Sequence, residues 1–69
     1  MENKYIIYTD IHHNGSIQRW FYGIYNNRDV ANAEAQRMNE EYNLPSQGIY
    51  RCVCKAEDAG KMGVMNMPK

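Results

Sequence analysis

Asp10, His12 and His13 stand close together near one end of the chain, and Cys52 and Cys54 stand two apart near the other. Imidazole, carboxylate and thiolate are the usual ligands of divalent metals, so these five residues are the set whose types could hold an ion. Their spacing argues against it. Adjacent strand residues point to opposite faces, so only one histidine can join Asp10, and Cys-x-Cys on a strand is a weak metal signal. A disulfide between the cysteines would be strained, and two buried reduced thiols are the better reading. No metal ligand and no cofactor is assigned.

Covalent catalysis has less support still. Neither cysteine comes with an orienting third group or an oxyanion hole that the sequence can place beside it. Glu34, Glu40 and Glu41 fall among Arg37 and polar residues as a solvated helix face, and the scattered glycines form no phosphate-cradling loop. No catalytic residue is assigned, and the chain reads as a non-enzymatic binding protein.

The elements that carry these residues follow from pattern. Lys4 to Ile11 is rich in β-branched and aromatic residues and leads to Asn14-Gly15, a strong hairpin signal, after which a second strand runs Ile17 to Tyr25. A two-residue type I′ turn sets Asp10 opposite Arg19, Tyr8 opposite Phe21, Ile7 opposite Tyr22 and Tyr5 opposite Ile24. Asn26-Asn27 supplies an N-cap and Asp29 a first-turn acid for a helix over about 28–42, whose apolar stripe is Ala31, Ala35, Met38 and Tyr42. Asn43 to Gly48, with Pro45, forms a loop, and a third strand spans 49–56. Residues 57–62 form a short helical turn ended by Gly63, and the methionine-rich tail either packs on the body or hangs free. The expected fold class is α+β: one compact domain over 1–69, ordered ββαβ, with a three-stranded antiparallel sheet and one main helix on one face.

Composition bounds the partners. Sixty-nine residues with eight basic and eight acidic side chains carry no net charge, so no long-range field draws the molecule to nucleic acid or to an anionic membrane. A chain this short buries only about 60% of its unfolded surface, and association would help it. No apolar run approaches the roughly 20 residues of a membrane span, and Met1-Glu2-Asn3-Lys4 lacks signal-peptide features, so a cytoplasmic protein is expected.

In this register Tyr5, Ile7, Thr9, Ile11, Gln18, Trp20, Tyr22 and Ile24 share one face, with Tyr50, Cys52, Cys54 and Ala56 continuing it. That face should meet the helix, with Trp20 in the core. The other face gathers Lys4, Ile6, Tyr8, Asp10, His12, Ile17, Arg19, Phe21 and Tyr25 with Ile49, Arg51, Val53 and Lys55, and should stay open. Three readings of it compete: self-association into a homodimer or capture of a protein partner, a plain solvated face, or nucleic-acid or nucleotide binding. The first centres on Tyr8, Arg19, Phe21 and Tyr25; the nucleic-acid reading adds Lys4, Arg51 and Lys55. Phe21→Asp should then spare the fold and abolish association, while Tyr22→Asp should unfold the domain.

Gly23-Ile24-Tyr25, followed by a helix opening with an acid and alanines and then a strand, resembles the small hybrid-binding domain that precedes some ribonucleases H. The likeness covers about half the chain through one tripeptide. That family places a tryptophan shortly after the tripeptide, where this chain has Asn26-Asn27-Arg28, so nucleic-acid binding is not carried over. In size and neutrality the chain is also similar to accessory proteins of phages and mobile elements, many of which bind a host protein.

Overall fold

A computed structural model describes residues 4–68; the signal-free terminus expected at 1–3 lies outside them, as does Lys69. Strand β1 (Tyr5–His13) turns at Asn14-Gly15 into β2 (Ser16–Tyr25). Both turn residues have positive φ, 50° and 80°, as a type I′ turn requires and as asparagine and glycine tolerate. Helix α1 (Arg28–Glu41) starts where the Asn27 side chain accepts a hydrogen bond from the Val30 N–H at 3.1 Å. A 3-10 turn, Leu44–Gln47, leads through Gly48 into β3 (Ile49–Lys55). Gly48 is required here: its φ is 76°, and an added Cβ would sit 3.0 Å from the His12 carbonyl oxygen. The short C-terminal helical turn occupies Ala56–Asp58, earlier than expected: the Ala56 N–H makes the last ladder bond, to the Lys4 carbonyl, and the Ala56 carbonyl then accepts from the Ala59 N–H.

The sheet order is β2-β1-β3, all antiparallel, with β1 in the middle. Its neighbours Ile6 and Ile7 are both 0% exposed. Successive strand residues point to opposite faces, so the sheet is buried on both. Under α1, Ile7 packs with Ala31, Ala35 and Met38, flanked by Tyr5, Tyr25 and Val53. On the far face, Ile6 and Tyr8 pack with Ala59 and Val64, flanked by Phe21, Cys52, Cys54, Ala56, Met62 and Met67. The C-terminal segment is therefore a strap, and the face expected to be open is closed by it.

The strap also enters the sheet. Met65 donates its N–H to the Arg19 carbonyl at 2.8 Å and accepts from the Phe21 N–H at 2.8 Å, a one-residue parallel bridge opposite Trp20. The chain is an α+β fold as expected, but this contact makes the sheet a four-membered mixed one rather than purely three-stranded and antiparallel.

Register explains the remaining differences. Asp10 pairs with Arg19 and Tyr8 with Phe21 as the turn dictates, but a bulge follows: Tyr22 is the extra residue, Gly23 faces Ile7, Ile24 faces Ile6 and Tyr25 faces Tyr5. Tyr25 thus moves to the helix side. In β3, Cys52 lies opposite Tyr8 and Cys54 opposite Ile6, whereas Arg51, Val53 and Lys55 lie opposite Thr9, Ile7 and Tyr5. The cysteines belong under the strap, and Arg51 and Lys55 on the helix face, opposite to the expected assignment.

At Arg51 the outer edge of β3 is capped by a side chain. Asn39 on α1 donates its amide to the Arg51 carbonyl at 3.0 Å and accepts the Arg51 N–H at 2.8 Å, mimicking a neighbouring strand. Asn39→Ala leaves both backbone groups without that partner and should lower stability by about 1–3 kcal/mol in urea unfolding. Gln36→Ala, one helical turn away in solvent, should stay within about 0.5 kcal/mol of the parent.

Candidate interaction surface

Beneath the strap the side chains form a partly polar seam. Tyr8 is 6% exposed. Burial first, and the neighbouring Cys52 thiol second, push its phenol up to about 12. Desolvation also raises both cysteine thiols, which disfavours thiolate and so leaves them poor nucleophiles. Asp10 lies 3.8 Å from the Arg19 Nε and 3.5 Å from the His12 Nε2, while the Arg19 guanidinium donates to the Met62 carbonyl at 2.9 Å. The His12 ring meets Tyr50 edge to face at 5.3 Å. This seam fastens the strap to β2: Tyr8 is enclosed in it, Asp10 largely so, and His12 and Tyr50 are exposed at its end.

The open surface is elsewhere. Helix α1 covers only the part of its sheet face built on β1 and β3, and Trp20 and Tyr22 on β2 lie outside the cluster it packs. Tyr22 is 47% exposed and Trp20 is half-buried, its indole N–H donating to the Gln18 side chain at 3.2 Å. Arg51 reaches across the sheet to the Tyr22 ring: its guanidinium donates to the Thr9 hydroxyl and stacks 4.3 Å from the centre of that ring. Beyond them Ile11, His13, Asn14, Ser16 and Gln18 line an open concavity at the hairpin end.

The result is a shelf. Its floor is Thr9, Ile11, Gln18, Trp20, Tyr22 and Arg51, and its wall is the helix stripe Glu34, Arg37 and Glu41, spaced to share one side. Arg37 is ion-paired to both acids, so the wall is polar and keeps one net negative charge. Tyr25 joins wall to floor: its hydroxyl is raised by burial and then by Glu34, and its ring lies 3.3 Å from where a Cβ on Gly23 would stand.

The residues singled out by sequence are split between the two faces. Tyr8, Arg19 and Phe21 do come together, but under the strap. Tyr25, Arg51 and Lys55 lie on the helix side, where only Arg51 reaches the shelf floor. Trp20 lies on the face expected of it, past the reach of the helix rather than in the core. His12 accompanies Asp10, whereas His13 lines the concavity on the opposite face, and among the described residues no three metal-ligating side chains converge. Sequence reasoning missed Tyr22 as a surface residue. The available signal was Gly23, since an isolated glycine inside a strand pattern marks a bulge.

No protein-family model matches the chain, and no curated protein or solved structure gives a significant match. Among the described residues no helix is long and apolar enough to cross a membrane.

The raised Tyr8 pKa has a sign that can be tested. A phenol that ionises near 10 when unfolded and near 12 when folded stabilises the fold fully below pH 10 and loses that contribution as pH rises toward 12. The loss should be about 2–3 kcal/mol. Urea midpoints should fall between pH 8 and pH 11.5, and Tyr8→Phe should reduce the difference without abolishing it, because Cys52, Cys54 and Tyr25 are raised in the same direction.

Proposed function

We propose that the chain is a non-enzymatic protein-binding domain that acts through this shelf and pairs with a second copy of itself there. The observation that carries the reading is the uncovered half-face that holds Trp20 and, with Arg51 stacked on it, Tyr22. Tryptophan, tyrosine and arginine are the residues that anchor protein interfaces, because each buries a large rigid area around one polar handle. A standard contact takes about 800 Å² from each partner, roughly one sixth of this molecule's 4886 Å² surface.

The nearly neutral surroundings favour protein over a polyanion. Arg51 is already engaged by Thr9 and Tyr22, and the paired Glu34, Arg37 and Glu41 add no positive field. The cations proposed for phosphate contact are also divided, with Arg19 held beneath the strap and Arg51 and Lys55 on the other side of the sheet. Nucleic-acid binding is the weaker reading on both counts.

Light scattering over a tenfold concentration range, in low and high salt, tests the proposal. The expected outcome is a mass that rises from one chain toward two with concentration in both buffers, because an aromatic contact is weakly screened. Tyr22→Asp should keep the parent circular dichroism and remain at the mass of one chain. Phe21→Asp should instead unfold the domain by placing a charge against Tyr8 and the strap, the reverse of what the sequence alone suggests. A Tyr22→Asp chain that associates like the parent would remove the shelf from consideration.

A further inference from the structure

Each edge of the sheet is guarded at one place: on β3 the Asn39 side chain takes the N–H and the carbonyl of Arg51, and on β2 the backbone of Met65 takes the Arg19 carbonyl and the Phe21 N–H. In an antiparallel pair the backbone groups of alternate residues point outward. Since Arg19 and Phe21 point out to meet Met65, Ile17 also points out on one side of the bridge, and Ile24 does so beyond the bulge. The exposed flanks are apolar: Ile17 is 54% and Ile24 52% exposed, and Met65 itself is partly exposed. Arg19 is the one charged residue in the ten-residue strand, so little in β2 repels another strand.

The strap is a visible template for what this edge accepts. Val64 is buried against Ile6 and Tyr8, Met67 packs at the rim, and the residue between Val64 and Asn66 supplies the strand pairing. Gly63 and Asn66, on either side of the paired segment, both have positive φ, 73° and 64°, so the chain stays extended for only a single residue of bridge. A longer strand in the same groove would keep the contacts with Arg19 and Phe21 and add those that Ile17 and Ile24 leave unused.

We propose that β2 and the groove beneath the strap form a second binding site, which takes an extended, uncharged segment of another protein by strand addition. The segment runs parallel to β2 and places alternate residues, apolar ones, into the groove from the position where Val64 now sits. The strap is then a tethered competitor, and a partner must displace it against its high effective concentration. This site is distinct from the shelf and does not rest on it.

The test uses the full chain and, as probe, a synthetic peptide with this protein's own sequence from Gly63 to Lys69. Met65→Pro removes the N–H that the strap donates to Arg19 and so frees the groove. Trp20, the single tryptophan and the bridge partner of Met65, reports occupancy by its fluorescence. The expected result is saturable binding of peptide to the Met65→Pro chain at a concentration at least tenfold lower than to the parent. A peptide carrying proline at the Met65 position should not bind. If Met65→Pro disturbs the circular dichroism, the pair Val64→Ser and Met67→Ser loosens the strap by another route and should give the same ordering. Equal affinity for parent and loosened chains, or no saturable signal with a folded loosened chain, would overturn the proposal. So would Met65→Pro chains that also carry Tyr22→Asp, which removes the shelf contact, if they still associate in pairs and take up no peptide, which would show that a second copy fills the groove.

Discussion

Everything in this small fold follows from a middle strand that is buried on both sides. Ile6 and Ile7 are consecutive, point opposite ways and are both fully enclosed, so two separate covers are needed. One is an amphipathic helix whose small residues, Ala31 and Ala35, let its backbone come close to Ile7. The other is irregular chain: a 3-10 turn, Ala59, Val64 and two methionines laid over Tyr8 and Phe21. Neither cluster is large, and each depends on the other through the same strand. Loss of either cover exposes one of two adjacent isoleucines.

Polar groups fix this arrangement where apolar packing alone would leave it loose. Asn39 ties the helix to β3, and the Arg19 guanidinium ties the strap to β2 through the Met62 carbonyl. Arg51 crosses the uncovered part of the sheet, using its stem and guanidinium plane to join β3, β1 and β2 through Thr9 and Tyr22. These contacts also limit where another molecule can dock. The β3 edge is capped at Arg51 and the strap face is covered, which leaves the aromatic shelf and the flanks of the β2 edge.

The bulge at Tyr22 decides the character of that shelf. Without it, Tyr22 would simply oppose Ile7 and Ile24 would oppose Tyr5. With it, both Tyr22 and Gly23 fall on the helix side, Tyr25 turns inward over Gly23, and Ile24 is moved to the opposite face beside Ile6. One extra residue therefore exchanges an isoleucine for a second tyrosine on the working face. It also places the Tyr22 ring where the Arg51 guanidinium can lie over it.

Local chemistry by itself determined much of this protein. Asn14-Gly15 specifies the hairpin and its register as far as Tyr8 and Phe21, Asn27 starts the helix, and the alanine stripe selects its buried side, because turn geometry and capping involve only near neighbours. Tertiary structure decided the rest. The phase of β3 was misread because Arg51 and Lys55 look like a solvated face, yet Arg51 extends across the sheet to stack on Tyr22. The tail carries no periodic pattern, since an irregular strap is shaped by the surface it covers rather than by its own backbone repeat. For the same reason sequence could name Tyr8 and Phe21 as neighbours of Arg19 but not show them covered: exposure depends on what the remaining chain reaches.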